Sequence, residues 1–191
     1  MKKKIASLTL VLALCLSLLP VTVFAEEEAE VPAKEPIRTH ISTVAELQAF
    51  ATEVNNGAYD GKTDAVVSLD ADLDLTGVAW TPIGSVFASD GTLQHYFSGK
   101  FYGNGHTISN LNFSENYGKS DYPSFGFFSE IYGAEVSSVT IQGNLDGSNS
   151  GYVYFGTVAG VAADSKISDC VSYVSFTDKD KYINGTAALC G

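Results

Sequence analysis

The sequence predicts an all-β protein: a short parallel β-solenoid with one capping α-helix at its N-terminal end, and a β-sandwich as the structural rival. Three observations carry this. Strand-sized apolar runs separated by glycine-rich turns fill the chain after residue 60. A short pattern of branched apolar, serine, small polar and apolar residues recurs as "ISNLNF" at 108, "VSSVTI" at 136 and "ISDCVS" at 167, at spacings of 28 and 31 residues. Helical periodicity occurs in only one stretch of the mature chain. Each repeat is too short and too rich in glycine to bury its own apolar face, whereas stacked copies bury theirs jointly.

Residues 1–25 read as a secretory signal peptide. Lys2, Lys3 and Lys4 form a basic start, "IASLTLVLALCLSLL" an apolar middle, and "VFA" a small-residue cleavage site ending at Ala25. The expected product is a secreted bacterial protein, possible also at the cell surface, beginning at Glu26. Loss of the leader's three lysines takes the formal charge from −11 to −14. Such a balance repels nucleic acid and anionic membrane, so neither is an expected partner. Residues 26–40, "EEEAEVPAKEPIRTH", carry mixed charges and two prolines with little that packs, and read as an acidic flexible linker.

The domain expected over 41–191 opens with "ISTVAELQAFATEVNNG". Thr43 and Glu46 have capping-box spacing, and Val44, Leu47, Phe50, Ala51 and Val54 fall on one stripe of a helix spanning 43–55 that Gly57 ends. The period then changes. In "VVSLDADLDLTG" Leu69, Ala71, Leu73 and Leu75 alternate with Asp70, Asp72 and Asp74, the pattern of a half-buried strand. The three aspartates are the candidate calcium ligands. An EF-hand loop would require glycine at its sixth position and glutamate at its twelfth, where this chain has Leu75 and Thr81, so no metal is expected.

Further on, "FYGNGHTISNL" contains a Gly-Asn-Gly. A dinucleotide loop would need a third glycine at Ile108 and a helix beyond it, and the following residues are strand formers. Gly103, Asn104 and Gly105 therefore read as a tight turn that begins a coil, with Ile108, Leu111 and Phe113 pointing inward. The repeat strands are expected near 108–113, 136–141 and 167–172, with Asn110, Ser138 and Asp169 stacked at one corner. The last motif, "ALCG", closes the sequence where a further coil would start, so the C-terminal end reads as incomplete and as a place for weak self-association. Cys170 and Cys190 are expected to stay reduced, because Cys170 aligns with inward Leu111 and Val139 while Cys190 aligns with a turn position at Ala159.

The stretch from Ile41 to Phe113, above all "WTPIGS" and "FSGKFYGNGHTI", resembles the N-terminal portion of bacterial secreted proteins carrying GLUG repeats, and "GFFS", "TVAG" and "ALCG" resemble the GLUG motifs. The resemblance implies an extracellular right-handed β-helix, often part of a larger adhesin-like protein, with no catalytic residues to carry over. Independently of it, no Ser/His/Asp arrangement, metal cluster or nucleophile elbow stands out, and no cofactor is expected. The expected function is non-catalytic surface interaction or structural spacing. The alternatives are a small carbohydrate-active enzyme and the truncated N-terminal part of a larger surface protein. Tyr117, Tyr122, Tyr152 and Tyr154, clustered near loops, are the candidate binding residues for a carbohydrate or a surface protein.

Overall fold

The computed structural model describes residues 35–84, 86–87, 92–112, 124–146, 153–177 and 183–187. They form a parallel β-solenoid of about four turns with one helix. Parallel pairing defines the walls, in place of the antiparallel sheets of a sandwich. The first wall stacks β1 (Arg38–Ile41), β2 (Val66–Leu69), β6 (Lys100–Tyr102), β10 (Glu135–Ser137) and β14 (Lys166–Ser168). The second stacks β3 (Leu73–Asp74), β7 (Thr107–Asn112), β11 (Thr140–Asp146) and β15 (Val171–Thr177). A third holds β8 (Ser124–Phe125), β12 (Val153–Gly156) and β16 (Ile183–Ala187), and a fourth holds β9 (Phe128–Tyr132) and β13 (Ala159–Ala163). The earlier coil joins this fourth wall through parallel bridges from Ile83 to Phe128 and from Phe97 to Ile131. Between those bridges the chain leaves the wall as an antiparallel pair, β4 (Val86–Phe87) with β5 (Leu93–His95).

Stacking like on like builds the core. Val67, Phe101 and Val136 occupy one column and Leu73, Ile108 and Ile141 another, all buried. Rings stack between coils as well: Phe125 on Phe155 at 5.3 Å and 17°, Phe97 on Phe128 at 5.2 Å and 20°. Such pairs add about 0.5–1.5 kcal/mol each beyond the area they bury. The segments Gly126–Ser129 and Thr157–Gly160 lie in register, with Phe128 beside Ala159, and Ile83 adds Thr81–Gly84 to the same column.

The helix α1 (Val44–Asn55) forms as its sequence directs. Thr43 Oγ accepts the Glu46 amide at 3.2 Å, while Glu46 accepts the amides of Ser42 and Thr43 at 2.8 and 3.0 Å. At the other end Gly57, at φ 85°, donates to Val54 O and Ala58 donates to Glu53 O, which satisfies the last carbonyls. Leu47, Phe50, Ala51 and Val54 are buried, and Phe50 meets Tyr59, Phe97 and Phe101 at centroid distances of 5.2, 5.6 and 6.1 Å. The apolar stripe thus covers the aromatic core at the first coil.

Four readings of the sequence are corrected. Arg38, Thr39 and His40 are part of β1 and pair residue by residue with β2, because Thr39 Oγ bonds Tyr59 Oη at 2.7 Å and Ile41 enters the core. The linker composition hides this strand. The aspartate run is two strands with a corner at 70–72, since alternation of inward leucine and outward aspartate survives the bend. The repeat register is corrected at its first step, where Ile108 pairs with Ile141 and Val136 with Phe101, while the second step stands, Val136 pairing with Ile167. Lastly, Asn104, Ser138 and Asp169 share a corner at φ of 54°, 56° and 55°, whereas Asn110 sits in a bulge of β7 at φ 57°. Leu111 accordingly lies beside Gly143, and Cys170 follows Val139 in its column. Phe113, Cys190 and the "ALCG" motif lie outside the described residues. Among the described residues no helix is long and apolar enough to cross a membrane.

Candidate functional site

The second wall carries a concavity. Its origin is the segment after β3. Leu75 N donates to Ser109 O at 2.9 Å and Trp80 N donates to Asn112 O at 3.3 Å, so both ends of residues 75–80 are fastened to β7. Between those anchors the chain turns, with Val78 N donating to Leu75 O and Gly77 at φ 76°. The buried Trp80 locks one end, its indole stacked on Phe127 at 5.3 Å and donating to Phe127 O at 3.2 Å. The segment therefore stands off the sheet and leaves a cleft of about 680 Å³, within the usual range for small-ligand sites.

Its lining is uncharged. Thr76, Val78, Asn110, Asn112, Gln142 and Asn144 supply the side chains, over a floor of Leu111 and Gly143. The bulge at Asn110 matters twice here. It turns Asn110 outward so that its Nδ2 donates to Asp74 Oδ1 at 2.7 Å and Thr76 Oγ1 at 3.0 Å. It also brings the Leu111 backbone so close to Gly143 that a β-carbon there would lie 2.8 Å from Leu111 C and 2.9 Å from Leu111 N. Asp74 Oδ1 also accepts the Thr76 amide and hydroxyl at 2.9 and 2.7 Å, and these bonds, Asn110's first, hold its carboxyl below the usual range. Asn144 Oδ1 accepts from Ser175 at 2.9 Å, and the side-chain amides of Asn112 and Gln142 make no hydrogen bond to another described residue. Gln142 pairs in register with Tyr173, which is 66% exposed.

A second polar group lies at the corner between the first two walls. His40 Nδ1 is 2.7 Å from Asp70 Oδ2, and Asp70 also accepts from Ser68 Oγ. Asn104 Nδ2 donates to Ser68 Oγ and Leu69 O at 2.9 and 3.0 Å. Asp72 faces His106 Nδ1 at 3.0 Å and accepts the Thr107 amide at 2.8 Å. These bonds hold Asp70 and Asp72 below the ordinary carboxyl range, Ser68 being the main cause for Asp70 and the Thr107 amide for Asp72. In the chain Ser68–Asp70–His40 the carboxylate stands between hydroxyl and imidazole, so the imidazole is not placed to take the serine proton as a nucleophile's base must. Each of Asp70, Asp72 and Asp74 has its own protein partners, and no group of three potential ligands able to hold a metal occurs among the described residues.

Of the four candidate tyrosines, Tyr154 is 37% exposed on β12, and Tyr117, Tyr122 and Tyr152 lie outside the described residues. The other exposed rings among the described residues are Tyr132 on β9, paired edge-on with Tyr96, and Tyr173 on β15. These three tyrosines stand on three different walls and make no common platform. Sequence reading passed over Tyr173 because an aromatic in "VSYVSF" reads as core. It also passed over the three histidine–aspartate pairs, His40–Asp70, His95–Asp60 and His106–Asp72, which topology alone brings together. Glu130 is half-buried, and that burial pushes its carboxyl above the ordinary range against the lowering effect of Ser124. No protein-family model, curated protein or solved structure matches the chain.

Proposed function

We propose that the protein is a non-catalytic extracellular β-solenoid module, of the GLUG-repeat kind, that holds a ligand on its outer surface. The observation that carries this reading is the uncharged cleft on the second wall, framed by a segment fastened at both ends to a rigid sheet. The leader-like first 25 residues support export, and the in-register stacking of Thr81–Gly84, Gly126–Ser129 and Thr157–Gly160 supports the repeat assignment. The dispersal of exposed tyrosines over three walls favours a second reading, an inert spacer.

One experiment separates these readings. The protein is applied to arrays of immobilised polysaccharides and extracellular matrix proteins, and any retained material is analysed by mass spectrometry. Selective retention on one class, with the ligand recovered chemically unchanged, is the expected result. Uniform failure to bind would leave the spacer reading, and a cleaved ligand would make the protein an enzyme.

A further inference from the structure

Resting on that recognition reading, we infer that the cleft between residues 75–79 and the second wall is a binding site for a neutral oligosaccharide, with Asn112, Gln142 and Asn144 as its hydrogen-bonding groups and Tyr173 as its stacking edge.

The argument starts from what the lining offers. Four carboxamides and one threonine hydroxyl surround the cleft, with no ionisable side chain among the lining residues. A carboxamide presents an acceptor oxygen and two donor hydrogens on one planar group. The internal bonds divide these capacities. Asn110 uses its Nδ2 on Asp74 and Thr76 and keeps its Oδ1 as an acceptor, while Asn144 uses its Oδ1 on Ser175 and keeps its Nδ2 as a donor. Among the described residues nothing engages the side-chain amides of Asn112 and Gln142, which keep both. The site therefore holds a mixed set of donors and acceptors at zero net charge, which matches a ligand whose groups both donate and accept, namely vicinal hydroxyls.

Charge excludes other ligands. A uronic or sulfated glycan would meet a strongly acidic protein and find no lysine or arginine in the cleft. A cationic ligand would need a free carboxylate, and Asp74, beside lining residues Leu75 and Thr76, already accepts from Asn110 and Thr76. An extended peptide adding itself as a strand would need a long unpaired edge, yet β11 is paired on both sides, and the edge of β7 left beyond its pairing with β3 at Ile108 and Ser109 is closed at Asn112, whose carbonyl accepts Trp80 N.

Position supports the same reading. Asn112 and Asn144 stand side by side in the β7–β11 register, and Gln142 stands beside Tyr173 in the β11–β15 register. Amides thus form rows across successive coils, and the exposed ring of Tyr173 sits at the end of one row, where its face can cover the apolar side of a sugar. Asp74 acts as a positioning residue, since it fixes Asn110 and Thr76 without facing the ligand itself.

The test uses the intact protein and a panel of neutral, uronic and amino oligosaccharides. Binding is measured by calorimetry at low and high salt, and the side-chain amide resonances of Asn and Gln are followed by NMR. Binding confined to a neutral glycan, nearly independent of salt, with shifts at Asn112, Gln142 and Asn144, is expected. Each of Asn112→Ala, Gln142→Ala and Tyr173→Ala should weaken it about three- to tenfold. Tyr154→Ala and Tyr132→Ala, on other walls, should leave it unchanged. Circular dichroism of each variant shows that the fold is intact. The inference is overturned if affinity survives Asn112→Ala/Gln142→Ala, if binding is salt-sensitive and selects charged sugars, or if only a protein or peptide binds. In those three cases surface recognition still stands. Binding to nothing on any array sinks both.

Discussion

Replacing Gly143 by alanine should destabilise the protein through one backbone contact. The bulge at Asn110 inserts an extra residue into β7, and the strand returns to register with Leu111 pressed against Gly143 of β11. An added β-carbon would sit against the Leu111 carbonyl, 2.8 Å from its carbon and 2.9 Å from the Leu111 nitrogen. These are backbone atoms of a strand paired in register with β11, so they cannot move aside as a flexible side chain would. Overpacking costs about 1–3 kcal/mol, and an unyielding obstacle places this case near about 3 kcal/mol. Loss of unfolded-state entropy on changing glycine to alanine returns about 0.4–1 kcal/mol, leaving a net cost of about 2 kcal/mol. For a chain of this size that lowers Tm by roughly 4–8 °C. The assay is thermal unfolding followed by circular dichroism, with urea unfolding to check that the m-value is unchanged. Gly105→Ala is the control, because Gly105 has φ 81° and open space around it, so only about 1 kcal/mol of left-handed strain applies. A Gly143→Ala protein that melts within about 1 °C of the parent, or above the Gly105→Ala control, would refute the close approach that shapes the cleft floor.

Three other outcomes are expected. Asp70, Asp72 and Asp74 have folded pKa values below the ordinary 3.8, so their stabilisation is complete above that value and is lost as pH falls through and below it. Urea midpoints should therefore fall more steeply below about pH 4 in the parent than in the D70N/D72N/D74N variant, and equal slopes would show that these carboxylates are idle. Cys170 is a half-buried free thiol whose burial pushes its pKa up, so it should react with a disulfide reagent slowly when native and at once when unfolded; equal rates would place it at the surface. Thr43→Ala removes the cap of α1 and should cost about 1 kcal/mol by urea unfolding, whereas Thr43→Ser should cost far less.

The helix and the solenoid class were legible because each rests on a local, repeated signal. Thr43 and Glu46 name the cap, and the stripe from Val44 to Val54 names the buried face. Register was legible only in part: the step from Val136 to Ile167 stands, and the step from Ile108 to Val136 does not. Two devices shift it: a corner at Gly103–His106 that is longer than those at Ser138 or Asp169, and the bulge at Asn110. Both insert residues that no periodicity marks, so "ISNLNF" aligns by eye with "VSSVTI" while Ile108 in fact stacks on Ile141. The corner at Asp70–Asp72 escaped notice for a related reason, since the inward and outward alternation continues through it. The cleft was invisible because Thr76, Asn110 and Asn144 come from three different coils. Asparagine in a glycine-rich chain also reads as turn chemistry before it reads as a binding group.

Core and cleft both depend on that register, and a pair of cysteines tests it directly. In a background with Cys15, Cys170 and Cys190 replaced by alanine, Asn112→Cys/Asn144→Cys joins positions that the fold places side by side on neighbouring parallel strands. Such positions lie about 4.8 Å apart, within reach of a disulfide. Asn110→Cys/Ser138→Cys joins positions that the sequence repeats align instead. Under mild oxidation of the native protein, intact mass and thiol counting should show ready closure of the 112–144 pair and none of the 110–138 pair. Closure of 110–138, or an open 112–144 pair under the same conditions, would contradict the register on which the site is built.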